Sequence, residues 1–181
     1  MERSLRILFI EPFYGGSHQE FADGLACYSR HEIDLHTLPA RFWKWRMRSS
    51  ALYFFETIVQ PEKYDLLLVT DMISITDLKA LWGERCPPIV LYFHENQLSY
   101  PVPKSRRIDL EFGFNNITSA LAADKVVFNS HYHKEAFLSS FTDLIKLMPG
   151  YIPKFVSKEF VSKFQVLYPG CRLLNFQKEH L

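Results

Sequence analysis

Residues 92–101 read YFHENQLSYP, with His94, Glu95, Asn96 and Gln97 in immediate succession behind a run of strand-forming residues. A histidine beside a glutamate can handle protons near neutral pH. Asn96 and Gln97 each carry an amide that donates and accepts, which matches the hydroxyls of a sugar. The plainer alternative is that the four polar groups cap the turn that follows. Zinc-protease chemistry fails twice: the second histidine of H-E-x-x-H is missing, and the stretch follows a strand instead of lying on a helix. Four such residues in one strand-end loop favour a site. His94 and Glu95 are its catalytic candidates, and Asn96 and Gln97 its acceptor- or sugar-binding candidates. Asn129 and Ser130, at the end of KVVFNS, are grouped with the latter.

A second candidate is the glycine pair in FIEPFYGGSHQE. Gly15 and Gly16 let a ligand approach the backbone closely, and a helix opening at Ser17 would aim free N–H groups at an anion. Gly15, Gly16, Ser17 and His18 are therefore donor-side candidates for a phosphate or diphosphate; the alternative is a tight turn. Neither G-x-G-x-x-G nor G-x-x-x-x-G-K-[ST] occurs, and the G-x-S-x-G elbow is missed at its last position. D-x-D is absent too, so a metal-held nucleotide-sugar site of that type has no support. His131 and His133 would lie on diverging faces of a helix and are expected at the surface.

The third stretch is ARFWKWRMRSS, residues 40–50. Arg41, Lys44, Arg46 and Arg48 interleave with Trp43 and Trp45, so rings that can stack on bases sit beside cations that can pair with phosphates. Drawn out as an extended segment, Trp43, Trp45 and Met47 would share one side and Lys44, Arg46 and Arg48 the other. Against this, tryptophans bury large areas, and the cations would then only be the solvated side. Lys104, Arg106 and Arg107 could extend the same basic face.

These residues need a frame. Apolar runs recur at wide spacing: 5–10, 32–38, 64–70, 88–93, 125–129 and 164–168. Four are nearly continuous, as in strands covered on both faces. Helical patterns lie between them. Ser17 with Glu20 reads as a capping box, followed by Phe21, Leu25 and Tyr28 on one face. Ser74 and Asp77 open a helix that Gly83 closes. Leu110, Phe114, Ile117 and Leu121 form another stripe, and Asn129 or Ser130 caps the helix after it. Strand–helix alternation of this kind predicts an α/β fold: a Rossmann-like, doubly wound, mainly parallel sheet of about six strands. Such sheets keep their ligands at the carboxyl ends of the strands.

Composition narrows the remaining classes. The chain has 181 residues, 48% hydrophobic, with a net charge of +1, so no global field selects nucleic acid or membrane. The 15% aromatic content, mostly Phe, predicts a Phe-rich core. Three scattered cysteines suit a reducing, cytoplasmic setting. No apolar stretch approaches the ~20 residues that span a bilayer, so no membrane partner is expected. Residues 1–170 read as one domain. The Pro169-Gly170 exit from the last strand makes 171–181 the expected start of a linker, in a chain that would be one half of something larger.

ILFIEPFYGGSH, TLPARFWKWRMRSSALYF, LYFHENQLSYP, FGFNN and VVFNS together resemble the amino-terminal half of the tRNA-queuosine mannosyltransferase family, over nearly the whole chain. The resemblance implies one half of a GT-B type retaining glycosyltransferase. Its reaction would transfer mannose from GDP-mannose to the cyclopentene-diol of queuosine in tRNA, with no metal and no other cofactor. It implies that His94 contacts the donor sugar, that Gly15 and Gly16 approach the diphosphate, and that the basic-aromatic block meets RNA. It also implies that the donor's nucleotide is held mainly by a C-terminal domain missing here, leaving this chain alone inactive. Two rivals remain: a transferase acting on a lipid or polysaccharide, and a non-catalytic RNA-binding module.

Overall fold

The computed structural model describes residues 3–101, 110–150, 153 and 158–170. Six strands form where the apolar runs fall: β1 (Arg6–Tyr14), β2 (Glu32–Pro39), β3 (Leu66–Thr70), β4 (Ile89–Phe93), β5 (Lys125–Phe128) and β6 (Phe164–Val166). The helices are α1 (Gly16–Tyr28), α2 (Trp43–Thr57), α3 (Ile75–Trp82), α4 (Leu110–Ala122), α5 (His131–Lys146) and α6 (Lys158–Ser162). The strands make one parallel sheet in the order β2-β1-β3-β4-β5-β6. The chain moves outward from β1 to β2, then returns past β1 to β3. Connections leaving β1 and β3 therefore diverge, and a crevice opens at their carboxyl ends.

Because side chains alternate across a strand, the sheet feeds two cores. Leu8, Ile10, Leu67, Val69, Leu91, Phe93, Val126 and Phe128 share a cluster with residues of α2 to α6. Ile7, Phe9, Leu68, Tyr92 and Val127 point the other way, under Phe21 and Ala22 of α1. The Phe-rich core is present. Phe93 stacks on Phe128 at 5.2 Å, and Phe137 meets both, at 5.3 and 5.4 Å. Each fully buried ring of this kind contributes about 1.5–3 kcal/mol over its exposed state.

Several local expectations hold. Ser74 accepts a hydrogen bond from Asp77 N and caps α3, and Gly83 ends it at φ 57°. Ser130, the second of the two candidates, caps α5 by accepting from His133 N. Others need correction. The cap expected at Ser17 from a Ser17–Glu20 box lies two residues earlier, at Gly15, with no side-chain cap bond, and the helix starts at Gly16. Residues 43–57 are helical, so the alternation drawn for an extended 40–50 segment does not occur. Strong helix formers in WKWRMRSSALYFF override the interleaved look of the stretch, and the buried face becomes Met47, Ser50, Ala51 and Phe54. In α4 the stripe is rotated. Leu110 is exposed while Phe112, Gly113, Asn116 and Ala120 join Ile117 inside. Gly113 lies there because a β-carbon would come within 2.7 Å of Leu98 Cδ2.

Candidate functional site

The strand ends at the switch point carry polar residues that burial should forbid unless they are paired. β1 continues past its apolar run to Glu11, which is fully buried. One carboxylate oxygen accepts from Phe13 N at 2.9 Å and lies 3.1 Å from His18 Nδ1. The other, Oε2, is buried with no hydrogen-bond partner among the described residues. His18 sits on the first turn of α1, brought over the sheet by the glycine pair. Gly16 takes φ 56°, in the left-handed region, to make that turn. Gly15 is required for space: a β-carbon there would meet Ala40 Cβ at 2.6 Å.

His94 leaves the end of β4 and stacks on His18, with ring centroids 4.1 Å apart and planes tilted by 33°. Phe21 and Tyr92 close round it at 5.0 and 4.9 Å. Its backbone N–H donates to Asp71 Oδ1 at 2.9 Å, and Nε2 is buried without a partner among the described residues. Burial, then the neighbouring His18 and His133, push the His94 pKa down to about 3, so the ring is neutral. His18 behaves oppositely. Burial works against its charge, but the hydrogen bond to Glu11 and the fields of Asp71, Glu11 and Glu95 outweigh it and raise its pKa. Asp71 is buried behind β3, and desolvation raises its pKa to about 7. Glu95 is also raised, by burial. Two adjacent imidazoles, one favouring charge and one neutral, are the electrostatic signature of this crevice.

A second set of groups holds the 94–99 loop in place. Asn96 is buried, and its Oδ1 accepts from Leu98 N and Ser99 N. Its amide nitrogen therefore faces Ser99 Oγ at 2.9 Å and His133 Nε2 at 2.7 Å. A nitrogen that receives this donor must be unprotonated, which makes His133 the Nδ1–H tautomer, donating to Asn129 Oδ1 at 3.0 Å. Asn129 Nδ2 in turn donates to His94 O at 2.7 Å. His133 is thus buried, not at the surface as its helical position suggested, and burial lowers its pKa to about 4. Gln97 N donates to Asn116 Oδ1 at 2.8 Å, tying the loop to α4.

Most of the predicted sugar-side residues converge. His94, Glu95, Asn96, Asn129 and Ser130 line one open pocket of about 290 Å³ with Tyr100, Tyr132 and His133. Gln97 does not line it. Within this group Asn96, Asn129 and Ser130 spend their hydrogen-bonding capacity on the loop and the α5 cap, leaving the Glu95 carboxylate and, buried behind the pocket, the His94 Nε2 that has no partner among the described residues. The 41–48 block divides. Trp43 packs edge-on against Phe112 at 5.1 Å, and Arg46 donates to Pro39 O at 3.3 and 3.1 Å. Arg41, Lys44, Trp45 and Arg48 are exposed, with Arg48 paired to Glu111. Lys104, Arg106 and Arg107 lie outside the described residues, as does 171–181.

Sequence reasoning missed Glu11, Asp71, Asn116 and the structural role of His133. A signal existed for the first two. Each is a carboxylate at the carboxyl end of an otherwise apolar parallel strand, a place that composition alone would leave hydrophobic. Among the described residues, Glu11, His18 and His94 also bring possible metal-ligating atoms within 4.8 Å of one another. An imidazole-bound ion lies in the plane of its ring, however, and these two rings lie face to face, with His18 Nδ1 already turned to Glu11.

A family model described as "tRNA-queuosine alpha-mannosyltransferase N-terminal" matches residues 6–171. The chain is 39% identical over 165 residues to the tRNA-queuosine alpha-mannosyltransferase of Drosophila melanogaster, a match covering 90% of this chain and 44% of that one. It therefore spans less than half the length of this relative. Among solved structures it is similar to the crystal structure of Anabaena Alr3699/HepE in complex with UDP and glucose. That likeness has a TM-score of 0.50 at 16% identity and covers 92% of this chain and 45% of the other. At such identity it speaks to the fold alone.

Proposed function

The chain belongs to the tRNA-queuosine alpha-mannosyltransferase N-terminal family, and on that premise we propose that it is the acceptor-side half of a GT-B type retaining transferase. Its reaction moves mannose from GDP-mannose to the cyclopentene-diol of queuosine in tRNA, in the cytoplasm. The observation that carries this reading is the crevice itself: a neutral His94 whose Nε2 has no partner among the described residues, beside a charge-prone His18, at the carboxyl ends of β1, β3 and β4.

In this mechanism the Gly15–Gly16 turn lets the donor diphosphate approach the backbone, and the His18 imidazolium faces the phosphate charge. His94 Nε2 meets a hydroxyl of the sugar, and Glu95 orients the acceptor diol at the mouth of the pocket. The Asn96–His133–Asn129 clamp fixes His94 so that little reorganisation is needed when the sugar arrives. No residue is assigned as a covalent nucleophile. The leaving diphosphate takes the acceptor's proton, and His18 balances its charge without a metal ion, in keeping with the face-to-face rings. In this reading most nucleotide affinity belongs to the part of the relative's length that the chain does not span, and these 181 residues alone turn over little or nothing.

Binding of the chain to queuosine-containing tRNA is compared with the same tRNA lacking queuosine, across a salt series. Tighter binding to the modified tRNA at every salt concentration is the expected result. Equal, steeply salt-dependent binding would reduce the interaction to phosphates on a basic surface and overturn the acceptor assignment.

A further inference from the structure

Phe42 is the one non-glycine residue with positive φ among the described residues, at φ 55° and ψ 48°. A β-carbon disfavours that left-handed conformation, and nothing in the core compensates it, because the ring is 70% exposed. The backbone needs only the carbonyl of this residue: Phe42 O accepts from Trp45 N at 2.8 Å and Arg46 N at 3.1 Å to start α2. Glycine would do that without strain. Folding therefore does not explain the phenyl ring. Strain of this kind collects at ligand sites.

Trp45 follows three residues later, on the first turn of α2, and is also 70% exposed. The companion Trp43, by contrast, is packed on Phe112. Arg41 places its guanidinium 5.9 Å over the Phe42 ring, and Lys44 and Arg48 are exposed on the same stretch. The turn is held firmly from beneath. Arg41 N and the Arg46 side chain both donate to Pro39 O, and Ala40 N donates to Tyr14 O. Ala40, two residues before Phe42, packs directly on Gly15, so the turn that carries the two exposed rings abuts the glycine turn of the crevice.

We propose that Phe42 and Trp45 form a stacking platform for an unpaired nucleobase of the RNA acceptor, with Arg41 beside it on the phosphate backbone. This rests on the tRNA reading above and names the residues that read its single-stranded part. Flat apolar rings fixed beside cations suit a base and its phosphate, whereas either alone would suit a protein surface or a phosphate. The contact of Ala40 with Gly15 sets the base of the platform beside the crevice, so a splayed nucleotide stacked there lies near the edge where its neighbour reacts.

The test uses the full chain and two RNAs of equal charge, an anticodon stem-loop and a blunt duplex, with affinity read by fluorescence anisotropy and fold by thermal melting. Phe42→Gly removes the ring and the strain together; Trp45→Ala is the second variant and Arg41→Ala the third. The expected result is that Phe42→Gly and Trp45→Ala each weaken stem-loop binding by about 5- to 150-fold with an unchanged salt slope. The Tm of Phe42→Gly holds or rises. Arg41→Ala lowers the salt slope instead. If the wild-type chain binds the stem-loop and both ring variants bind it equally well, the platform is overturned and the tRNA reading survives. If the wild-type chain binds neither RNA, the tRNA reading falls and the platform with it. A loss of affinity that tracks a fall in Tm would make the rings structural and also overturn the proposal.

Discussion

Replacing Gly15 by alanine tests whether the crevice turn and the aromatic turn are one packed unit. The new methyl would stand 2.6 Å from Ala40 Cβ, where unstrained carbons keep well over 3 Å. One of the two turns must move, and overpacking of this kind costs about 1–3 kcal/mol. For a chain of this size each kcal/mol lowers the Tm by roughly 2–4 °C, so a fall of about 2–12 °C is expected. Ala40→Gly alone should cost about 0.4–1 kcal/mol through unfolded-chain entropy. Together the two should recover stability, because the second removes the carbon that the first strikes. The double-mutant cycle in urea should then give a favourable coupling of roughly 1–3 kcal/mol. Gly16→Ala is the contrast: open space surrounds it, but φ 56° strains any side chain, a cost of about 1–2 kcal/mol that Ala40→Gly cannot relieve. Additivity of Gly15→Ala and Ala40→Gly to within about 0.5 kcal/mol would refute the steric account.

Four other outcomes concern the site and the core. The His133 pKa is lowered from 6.5 to about 4, so the unfolded state binds the extra proton between those values; the stability is fully present above pH 6.5 and lost as pH falls towards 4. Urea titrations at stepped pH should show that acid limb, and His133→Gln should flatten it; an unchanged limb would mean that burial does not hold the ring neutral. Asp71, raised from 3.8 to about 7, acts with the opposite sign, its contribution being greatest below 3.8 and lost as pH rises through 7. His94→Ala, placed in the two-domain enzyme, should cut turnover by about 10²-fold or more, and lower the Tm as well because the ring packs on His18, Phe21 and Tyr92; His94→Phe, which keeps a ring there without Nε2, should lose the turnover too, and undiminished turnover in either would remove His94 from the reaction. Phe137→Ala should destabilise by about 3–5 kcal/mol in urea, because the ring is fully buried against Phe93, Phe128 and Phe141; a cost below 1 kcal/mol would show that the Phe cluster is loosely packed.

The sheet was legible because its information is local. Continuous apolar runs such as LLLVT and IVLYF at strand length, with Ser74 and Gly83 bounding a helix, specify a parallel α/β fold before any contact is known. So was the placement of HENQ, since loops behind parallel strands face the crevice wherever the sheet goes. The role of each side chain there was not legible. Asn129 and His133 are four residues apart, but Asn96 lies far from both in sequence, and only the pairing of β4 with β5 brings it within hydrogen-bond reach of His133, where the three become a clamp. Glu11 and Asp71 look like interruptions of two strands until the order β2-β1-β3 sets both at one switch point beside His18. Trp43 and Trp45 are equivalent in composition, and their fates part only because helical period turns the first onto Phe112 and the second into solvent. Local pattern fixes where backbone can go, whereas burial, tautomer and charge depend on neighbours that only the packed sheet supplies.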